Sequence, residues 1–315
     1  MKKILFQERA SQDWYTPSGL PAEVLAWGTP VRNLGVGASG KVGLLDLDFS
    51  VSGGATRLVN QFQQLPLYVF HPLYIDPKRR DMAFIYLLQS GEGIVQGDRY
   101  RLDLDCGPET AVHFTTQAVT KIYGMQDNFA TQIVNLNAGP GTFVEYLPDP
   151  TMPFRGSRFY QRMIFNVDPS ATVIVGETLL PGRVARGEIH EYCFYYTDLE
   201  ARSPDGALLF ADRLKLGDGL GHAASPGLLG SFAILAGFYV ITRQLPPSTL
   251  ATRLHDALAA ETDVLAGISE LPNKCGVFAR IMGHTSAIIE AAMKRVWGEA
   301  RRVLFNLPVP DLRKM

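Results

Sequence analysis

The chain has 315 residues, of which 46% are hydrophobic and 19% charged, a composition typical of globular rather than disordered proteins. Its 30 basic and 31 acidic residues give a formal net charge of −1, so the basic excess of nucleic-acid-binding proteins is missing. The three cysteines, Cys106, Cys193 and Cys275, are far apart and include no CxxC pair. This spacing excludes a zinc ribbon or finger and argues against a disulfide framework.

The apolar segments of the chain are too short for secretion or membrane insertion. Only Ile4, Leu5 and Phe6 form an apolar run near the N-terminus, which is shorter than the core of a signal peptide. The most apolar stretch, residues 228–242, is interrupted by glycines and Ser231 and falls short of a membrane span. We therefore expect a cytoplasmic protein that binds neither membrane nor nucleic acid.

Residues 1–40 are predicted to form an irregular N-terminal extension, and residues 41–245 a β-rich body. The extension has no hydrophobic period and contains the turn Pro17-Ser18-Gly19. From residue 41 onward, apolar and acidic residues alternate, as in a half-buried strand. Further strands separated by glycine and proline turns are predicted at 83–89, 100–105, 112–116, 132–137, 158–167, 173–179, 189–197 and 233–242.

Three segments of the body share the pattern strand, proline turn, strand. Their prolines are Pro108, Pro140 and Pro169, separated by 32 and 29 residues. Recurrence at this spacing indicates stacked hairpin units, each of which buries a face on its neighbour. The predicted fold is therefore mainly β, with either a β-helix-like or a sandwich-like arrangement of these hairpins.

Residues 246–315 are predicted to form a helical segment and an extended tail packed on the body. One short helix is expected at 250–260 and a longer one from Thr285 or Ser286 to about residue 304. In the longer helix Ile289, Met293, Val296, Ala300 and Leu304 recur at helical spacing, whereas the expected polar positions include Lys294, Arg295, Arg301 and Arg302. Pro308 and Pro310 then prevent the helix from continuing.

Two motif-like patterns are not expected to form binding sites. The residues from Gly35 to Gly40 fit GxGxxG, but a strand rather than a helix follows, which indicates a turn and not a dinucleotide site. His190 and Cys193 resemble a ligand pair, yet residues three apart in the strand predicted there point to opposite faces. The chain has no GxxxxGK[ST] phosphate loop and no GxSxG nucleophile motif.

Three carboxylates stand in apolar, glycine-rich surroundings: Asp98, Glu177 and Glu188. A carboxylate in such surroundings is costly unless it is paired or bound to a cation. One interpretation is local ion pairing with Arg99, Arg183 and Arg186. The other is weak oxygen ligation of a divalent metal in transit.

Several of these residues lie in segments that resemble one protein family. SGEGIVQGDR at 90–99 resembles the GGxVGGD segment of UreD/UreH urease accessory proteins, FTTQAVTKIY at 114–123 resembles their TTQAxTKxY, and VEYLP at 144–148 resembles their LEWLP. The ordered match covers about residues 41–214, although Gln96 and Gly124-Met125 depart from the family pattern. Other matched positions are Thr115, Thr116, Lys121, Tyr123, Arg183, Glu200 and Asp212.

The resemblance implies a non-enzymatic accessory chaperone that helps to insert nickel into apo-urease. It implies partners of three kinds, a UreF-type protein, a UreG-type GTPase that hydrolyses GTP, and the apo-urease subunits. No cofactor would be bound tightly; nickel would be in transit, past Asp98, Glu177 and Glu188. Two alternatives remain open: a carboxylate-dependent carbohydrate-active β-solenoid enzyme, and an adaptor with no metal role.

Overall fold

Two mixed β-sheets face each other in the computed structural model, which describes residues 9, 12–28, 40–217 and 223–314. Most of the GxGxxG segment, residues 35–39, and His222 lie outside the described residues. The strands are β1 (Val42–Ser52), β2 (Ala55–Gln64), β3 (Leu67–Val69), β4 (Ala83–Gln89), β5 (Arg99–Cys106), β6 (Ala111–Thr116), β7 (Thr120–Ile122), β8 (Ala130–Ala138), β9 (Phe143–Tyr146), β10 (Thr151–Pro153), β11 (Arg158–Val167), β12 (Thr172–Leu179), β13 (Phe194–Arg202), β14 (Leu208–Gly217), β15 (Ile234–Ile241), β16 (Val264–Glu270) and β17 (Gly276–Gly283). The helices are α1 (Ala22–Leu25), α2 (Pro247–Leu258) and α3 (Ser286–Phe305).

The first sheet has seven strands in the order β14-β13-β11-β8-β5-β1-β2, and the second has ten. The second sheet runs β16-β17-β15-β12-β9-β6-β4-β3, with β10 and β7 paired beside β12. Both sheets have a parallel centre and antiparallel margins. The fold is therefore mainly β, as predicted.

The three proline turns connect the two sheets instead of closing hairpins. β5, β8 and β11, which precede the turns, are parallel neighbours in the first sheet, and β6, β9 and β12, which follow them, are parallel neighbours in the second. Each turn pairs with the next one: Gly139 N donates to Cys106 O at 2.8 Å, and Glu109 N to Pro140 O at 2.8 Å. The prediction of stacked units is confirmed, whereas the prediction of hairpins is wrong; the units are solenoid-like coils.

Most predicted strands lie where the sequence pattern placed them, and 83–89 and 158–167 coincide with β4 and β11. The prediction of a strand at 189–197 is wrong for residues 189–193, because β13 begins only at Phe194. The preceding residues form a loop in which His190 has a φ of 55°. His190 and Cys193 therefore do not share a strand, and the argument from opposite faces does not apply to them.

The described residues 12–28 of the N-terminal extension lie on the outer face of the first sheet, although their sequence has no hydrophobic period. The ring of Trp14 lies 3.9 Å from the guanidinium carbon of Arg101, and the ring of Trp27 lies 3.7 Å from that of Arg158. Val24 of α1 is buried in a small apolar cluster between these two contacts. Cation–π contacts and the buried side chains of Tyr15 and Val24 thus fix a segment that contains little regular structure.

The hydrophobic core has two main layers, one between the sheets and one between the second sheet and the C-terminal helices. α3 begins as predicted, with the Thr285 hydroxyl accepting a hydrogen bond from Ile288 N at 3.4 Å. Ile289 and Val296 are buried and Met293 is half-buried, which confirms the predicted apolar face. The region after residue 245 also adds β16 and β17 to the second sheet, which the sequence pattern did not predict.

Arg301 was expected on the polar face of α3, but its side chain is fully buried. Its Nη1 donates to Glu145 Oε1 at 3.0 Å and Oε2 at 2.9 Å, and its Nη2 pairs with Asp76. Glu145 also accepts from Trp297 Nε1 at 2.7 Å and lies 2.8 Å from His113 Nδ1. Burial alone would raise the pKa of Glu145, but the His113 hydrogen bond and the Arg301 charge outweigh it and lower the pKa. These five residues form the Arg301 network, which ties α3 to the second sheet.

Replacing Arg301 with methionine should destabilise the fold strongly. The change keeps most of the side-chain volume but leaves Glu145 and Asp76 buried without their cation, which costs about 3–5 kcal/mol. The matched control is Arg302→Met, because Arg302 is about half exposed and its Nη2 contacts Glu299 at 2.7 Å. That change should cost about 0–1 kcal/mol. Urea denaturation measures both, and equal losses would contradict this account of Arg301.

Candidate functional site

A cavity of about 950 Å³ opens between the two sheets. Its wall includes exposed side chains such as Phe70 and Gln117, and also buried core residues such as Leu102 and Tyr146. The cavity therefore leads from the surface into the layer between the sheets. We call it the inter-sheet cavity.

Polar side chains line the part of the cavity that reaches the first sheet. Gln132 of β8 lies opposite Gln161 of β11 in the parallel register. Gln132 Nε2 donates to Gln161 Oε1 at 3.1 Å, and Gln161 Nε2 donates to Glu177 Oε1 at 2.9 Å. The coil stacking thus aligns two amides that orient the Glu177 carboxylate. Glu177 also lines a second, small pocket with Asp212 and Arg280.

Glu177 has the electrostatic environment of a group that changes charge near neutral pH. Burial raises its pKa to about 7, and the charge of Asp212 adds to this effect. The Arg280 charge and the hydrogen bond from Gln161 oppose it. A carboxyl group with a pKa near 7 can release its proton at neutral pH and then bind a metal cation through the carboxylate.

Asp98 lies beside this cavity but is not part of its wall. Its carboxylate is buried and accepts hydrogen bonds from Lys41 N at 3.0 Å, Val95 N at 3.0 Å and Tyr100 Oη at 2.8 Å. Burial raises the pKa of Asp98, whereas these hydrogen bonds lower it. Tyr100 in turn accepts from Gln89 Nε2, a group on the cavity wall, at 3.1 Å. These contacts tie the loop before β5 to the strand.

Glu188 forms the local ion pair that one interpretation of the sequence predicted. Arg183 Nε donates to Glu188 Oε2 at 2.8 Å, and Arg155 N donates to the same oxygen at 3.3 Å. The Arg183 hydrogen bond holds the pKa of Glu188 below its usual value. Arg183 also lies over the ring of Phe154, 4.2 Å from its centroid. Glu188 is not among the residues that line the inter-sheet cavity.

Asp98, Glu177 and Glu188 do not form one ligand cluster. Within the residues that the structure describes, no group of three or more His, Cys, Asp and Glu side chains is arranged to hold a metal ion. The three cysteines are free, and Cys106 and Cys275 are buried. Burial raises the pKa of Cys106, and raises that of Cys275 to about 11.

The glycine-rich loop at 91–98 meets β7, so two of the family-like segments are in contact. Ile94 N donates to Lys121 O at 2.8 Å, and Tyr123 N donates to Ile94 O at 2.9 Å. The Tyr123 hydroxyl donates to Glu92 Oε2 at 3.0 Å. Gly93 has a φ of 151°, and a Cβ there would lie 2.4 Å from Lys121 O. The missing side chain of Gly93 therefore allows the two backbone segments to approach each other closely.

Of the other family-like positions, two lie on the cavity wall and the rest make hydrogen bonds or ion pairs elsewhere. Thr116 and Lys121 line the cavity, and Thr115 Oγ1 donates to Leu147 O at 2.8 Å. Asp212 accepts from Tyr239 Oη at 2.6 Å and from Arg280 Nη2 at 2.8 Å. Glu200 pairs with arginines of the first sheet, Arg202 at 2.6 Å and Arg213 at 3.1 Å.

Five polar residues of the site were not singled out in the sequence: Gln132, Gln161, Asp149, Arg280 and Lys314. Gln132 and Gln161 occupy equivalent places in two coils, and this repetition is the signal that could have identified the amide pair. The Lys314–Asp149 contact joins residues 165 positions apart, and no local pattern indicates it.

Comparison with known proteins agrees with the family resemblance found in the sequence. Residues 41–314 match the family described as UreD urease accessory protein. The chain belongs to this family. It is 46% identical to urease accessory protein UreD 2 of Streptomyces griseus over 283 residues, which is 89% of this chain and 96% of the relative. It is 32% identical to UreD of Cenarchaeum symbiosum (89% and 99% covered) and 33% identical to UreD of Haloarcula marismortui (90% and 94%).

The names of these relatives describe accessory proteins of urease, not enzymes, and so agree with the non-enzymatic prediction. The helices in the described part of the chain are all too short or too polar to cross a membrane.

Gly93→Ala should destabilise the protein by about 1–3 kcal/mol, because it combines a strained φ with a clash against Lys121 O. Gly227→Ala is the control, since a Cβ there meets no atom within 4 Å. Thermal unfolding of both variants checks the prediction. A Gly93 variant as stable as the control would show that the loop can move away from β7.

Glu177→Gln should change how stability depends on pH. The carboxyl has a raised pKa in the folded state, so the stability it contributes is complete below pH 4.5 and is lost as pH rises through about 7. Glutamine stays neutral and avoids this loss, so from about pH 4.5 to about pH 8 the variant should gain about 1–3 kcal/mol relative to the parent. Denaturation curves across this range measure the difference. Glu290→Gln, at an exposed position of α3, is the control. A pH-independent difference for Glu177→Gln would contradict the prediction.

Proposed function

We propose that this chain is a maturation chaperone that carries nickel toward apo-urease through the inter-sheet cavity. The observation that carries the proposal is Glu177, a carboxylate inside a cavity of about 950 Å³ that leads to the surface. Membership of the urease accessory family gives this site its context. Nickel is the cargo here, not a resident cofactor.

The chemistry of the cavity wall suits passage better than storage. Glu177 offers carboxylate oxygens, and Gln132 and Gln161 are amide neighbours whose carbonyl oxygens are further candidate ligands. Nickel bound by a few oxygen ligands exchanges more readily than nickel held by thiolates and imidazoles, for which it has higher affinity. A buried carboxylate also gains from a cation, because its negative charge is otherwise poorly solvated.

The remaining parts of the process belong to partners in this proposal. The chain has no phosphate-loop motif, so the GTP hydrolysis that accompanies nickel delivery falls to a UreG-type GTPase. A UreF-type protein and the apo-urease subunits complete the complex, and the proposed place of action is the cytoplasm.

Asp98 and Glu188 remain predictions as further residues of the route. Their carboxylates are engaged by backbone amides, Tyr100 and Arg183, so each would have to release a partner before it could bind a cation. Glu177 accepts one such hydrogen bond, from the neutral amide of Gln161 at 2.9 Å from its Oε1, and so has fewer partners to release. We therefore expect the largest effect on nickel transfer from Glu177.

Co-expression with the urease subunits and the other accessory genes tests the proposal. Glu177→Gln should leave soluble protein and partner pull-down unchanged but lower the nickel content of urease severalfold, because the amide lacks the charge that attracts the cation. Glu290→Gln is the control, since Glu290 is exposed on α3 and is not among the residues that line the cavity. Elemental analysis of purified urease gives the nickel content.

Asp98→Asn and Glu188→Gln, made singly and combined with Glu177→Gln, separate a transport role from a folding role. Reduced soluble protein with normal nickel per urease would assign Asp98 or Glu188 to folding. Normal nickel content in the triple variant would contradict nickel transit past these carboxylates and favour the metal-independent adaptor.

A further inference from the structure

The chain after α3 returns to the inter-sheet cavity. Asn306 ends the helix with a φ of 54°, and Arg301 Nε then fixes the turn by donating to Pro308 O at 2.8 Å. Leu307 and Pro310 are buried, and Leu312 packs against the core beneath the helices. The tail therefore has a firmly anchored first part.

The tip of the tail lies across the cavity wall. Leu312, Arg313 and Lys314 all line the cavity. The Tyr86 hydroxyl donates to Leu312 O. Lys314 Nζ donates to Asp149 Oδ1 at 2.8 Å and to Asp149 Oδ2 at 2.9 Å. It also donates to Thr115 Oγ1 at 2.7 Å.

The tip is held less firmly than the rest of the tail. Arg313 is exposed, and the side chains of Lys314 and Asp149 each keep 23% of their surface accessible. A partly exposed ion pair contributes little to stability and exchanges with solvent ions, in contrast to the buried Arg301 network. The tip can therefore separate from Asp149 while α3 and residues 307–310 stay in place.

We propose that Arg313 and Lys314, which follow the anchored Leu312, form a lid over part of the mouth of the inter-sheet cavity. Lys314 latches this lid on Asp149, and the pair sets the charge of the solutes admitted. With the lid closed, the ammonium group of Lys314 forms an ion pair with the Asp149 carboxylate. With the lid open, that carboxylate loses its cation and keeps the hydrogen bond from Thr116 Oγ1, 3.0 Å from its Oδ2, so its negative charge attracts cations to the cavity wall. The role of the lid in regulating nickel passage depends on the proposed function, but the opening of the lid can be measured without nickel.

A cysteine placed inside the cavity reports the opening. Thr178 lines the cavity and is half-buried, so Thr178→Cys supplies the thiol in a Cys193→Ser background. Cys106 and Cys275 are buried, and the background chain without Thr178→Cys corrects for them. The probes are two methanethiosulfonates of similar size, the cationic trimethylammonioethyl and the anionic sulfonatoethyl reagent. Their reaction rates are measured on the folded full-length chain.

Lys314→Ala should raise the rate of the cationic reagent about two- to fivefold, the ratio expected for loss of a partly exposed ion pair, and raise the anionic rate less. Asp149→Asn also opens the latch but leaves Lys314 unpaired, so the anionic reagent should gain more. This reversal of charge preference would not follow from a merely structural role. Lys294→Ala, on the exposed face of α3, should change neither rate.

Unchanged reaction rates in both Lys314→Ala and Asp149→Asn would contradict the lid. Equal rate increases for the cationic and the anionic reagent would contradict the proposed effect of the ion pair on charge selection. If Thr178→Cys fails to fold, Val119→Cys, on the cavity wall and packed in the same apolar cluster as Leu312, replaces it. If the latch variants change the reaction rates but Glu177→Gln delivers nickel normally, the lid proposal is supported and the proposed nickel route is contradicted. If the latch variants leave the rates unchanged but Glu177→Gln impairs nickel delivery, the nickel route is supported and the lid proposal is contradicted.

Discussion

Parallel backbone pairing between equivalent strands of successive coils is the interaction on which the rest of this structure depends. It fixes β5, β8 and β11 in one register and β6, β9 and β12 in another, so each proline turn lies directly over the next. The same register brings Gln132 against Gln161 and thereby orients Glu177. Because side chains alternate between faces, a shift of one residue in β8 would remove this amide pair from the cavity.

The recurrence of Pro108, Pro140 and Pro169 was sufficient to predict stacked units, but not their kind. A proline turn looks the same in sequence whether the chain folds back on its own strand or crosses to another sheet. The difference lies in hydrogen bonds between residues about 30 positions apart, such as Gly139 N to Cys106 O. The pattern also did not reveal β16, an edge strand with few buried residues, or the position of the N-terminal segment.

The three carboxylates gave similar signals in the sequence and have different surroundings in the fold. Glu177 faces a cavity, Asp98 accepts hydrogen bonds from backbone amides, and Glu188 forms an ion pair with Arg183. Which of these a carboxylate does depends on partners that the local sequence does not identify. Arg301 shows the same dependence for a cation. Its helical spacing predicted a position on the polar face of α3, but ion pairs with Asp76 and Glu145 make its burial possible.

The state of the cysteines has a consequence for how long a thiophilic ion would remain on this chain. Burial keeps Cys106 and Cys275 in the thiol form at neutral pH, and thiols are far poorer ligands than thiolates. Neither sulfur lies on the wall of the inter-sheet cavity. A nickel ion on the proposed route would thus meet oxygen donors but no thiolate from either residue. Its residence time would be set by fast oxygen-ligand exchange, and the chain would not become a kinetic trap for its own cargo.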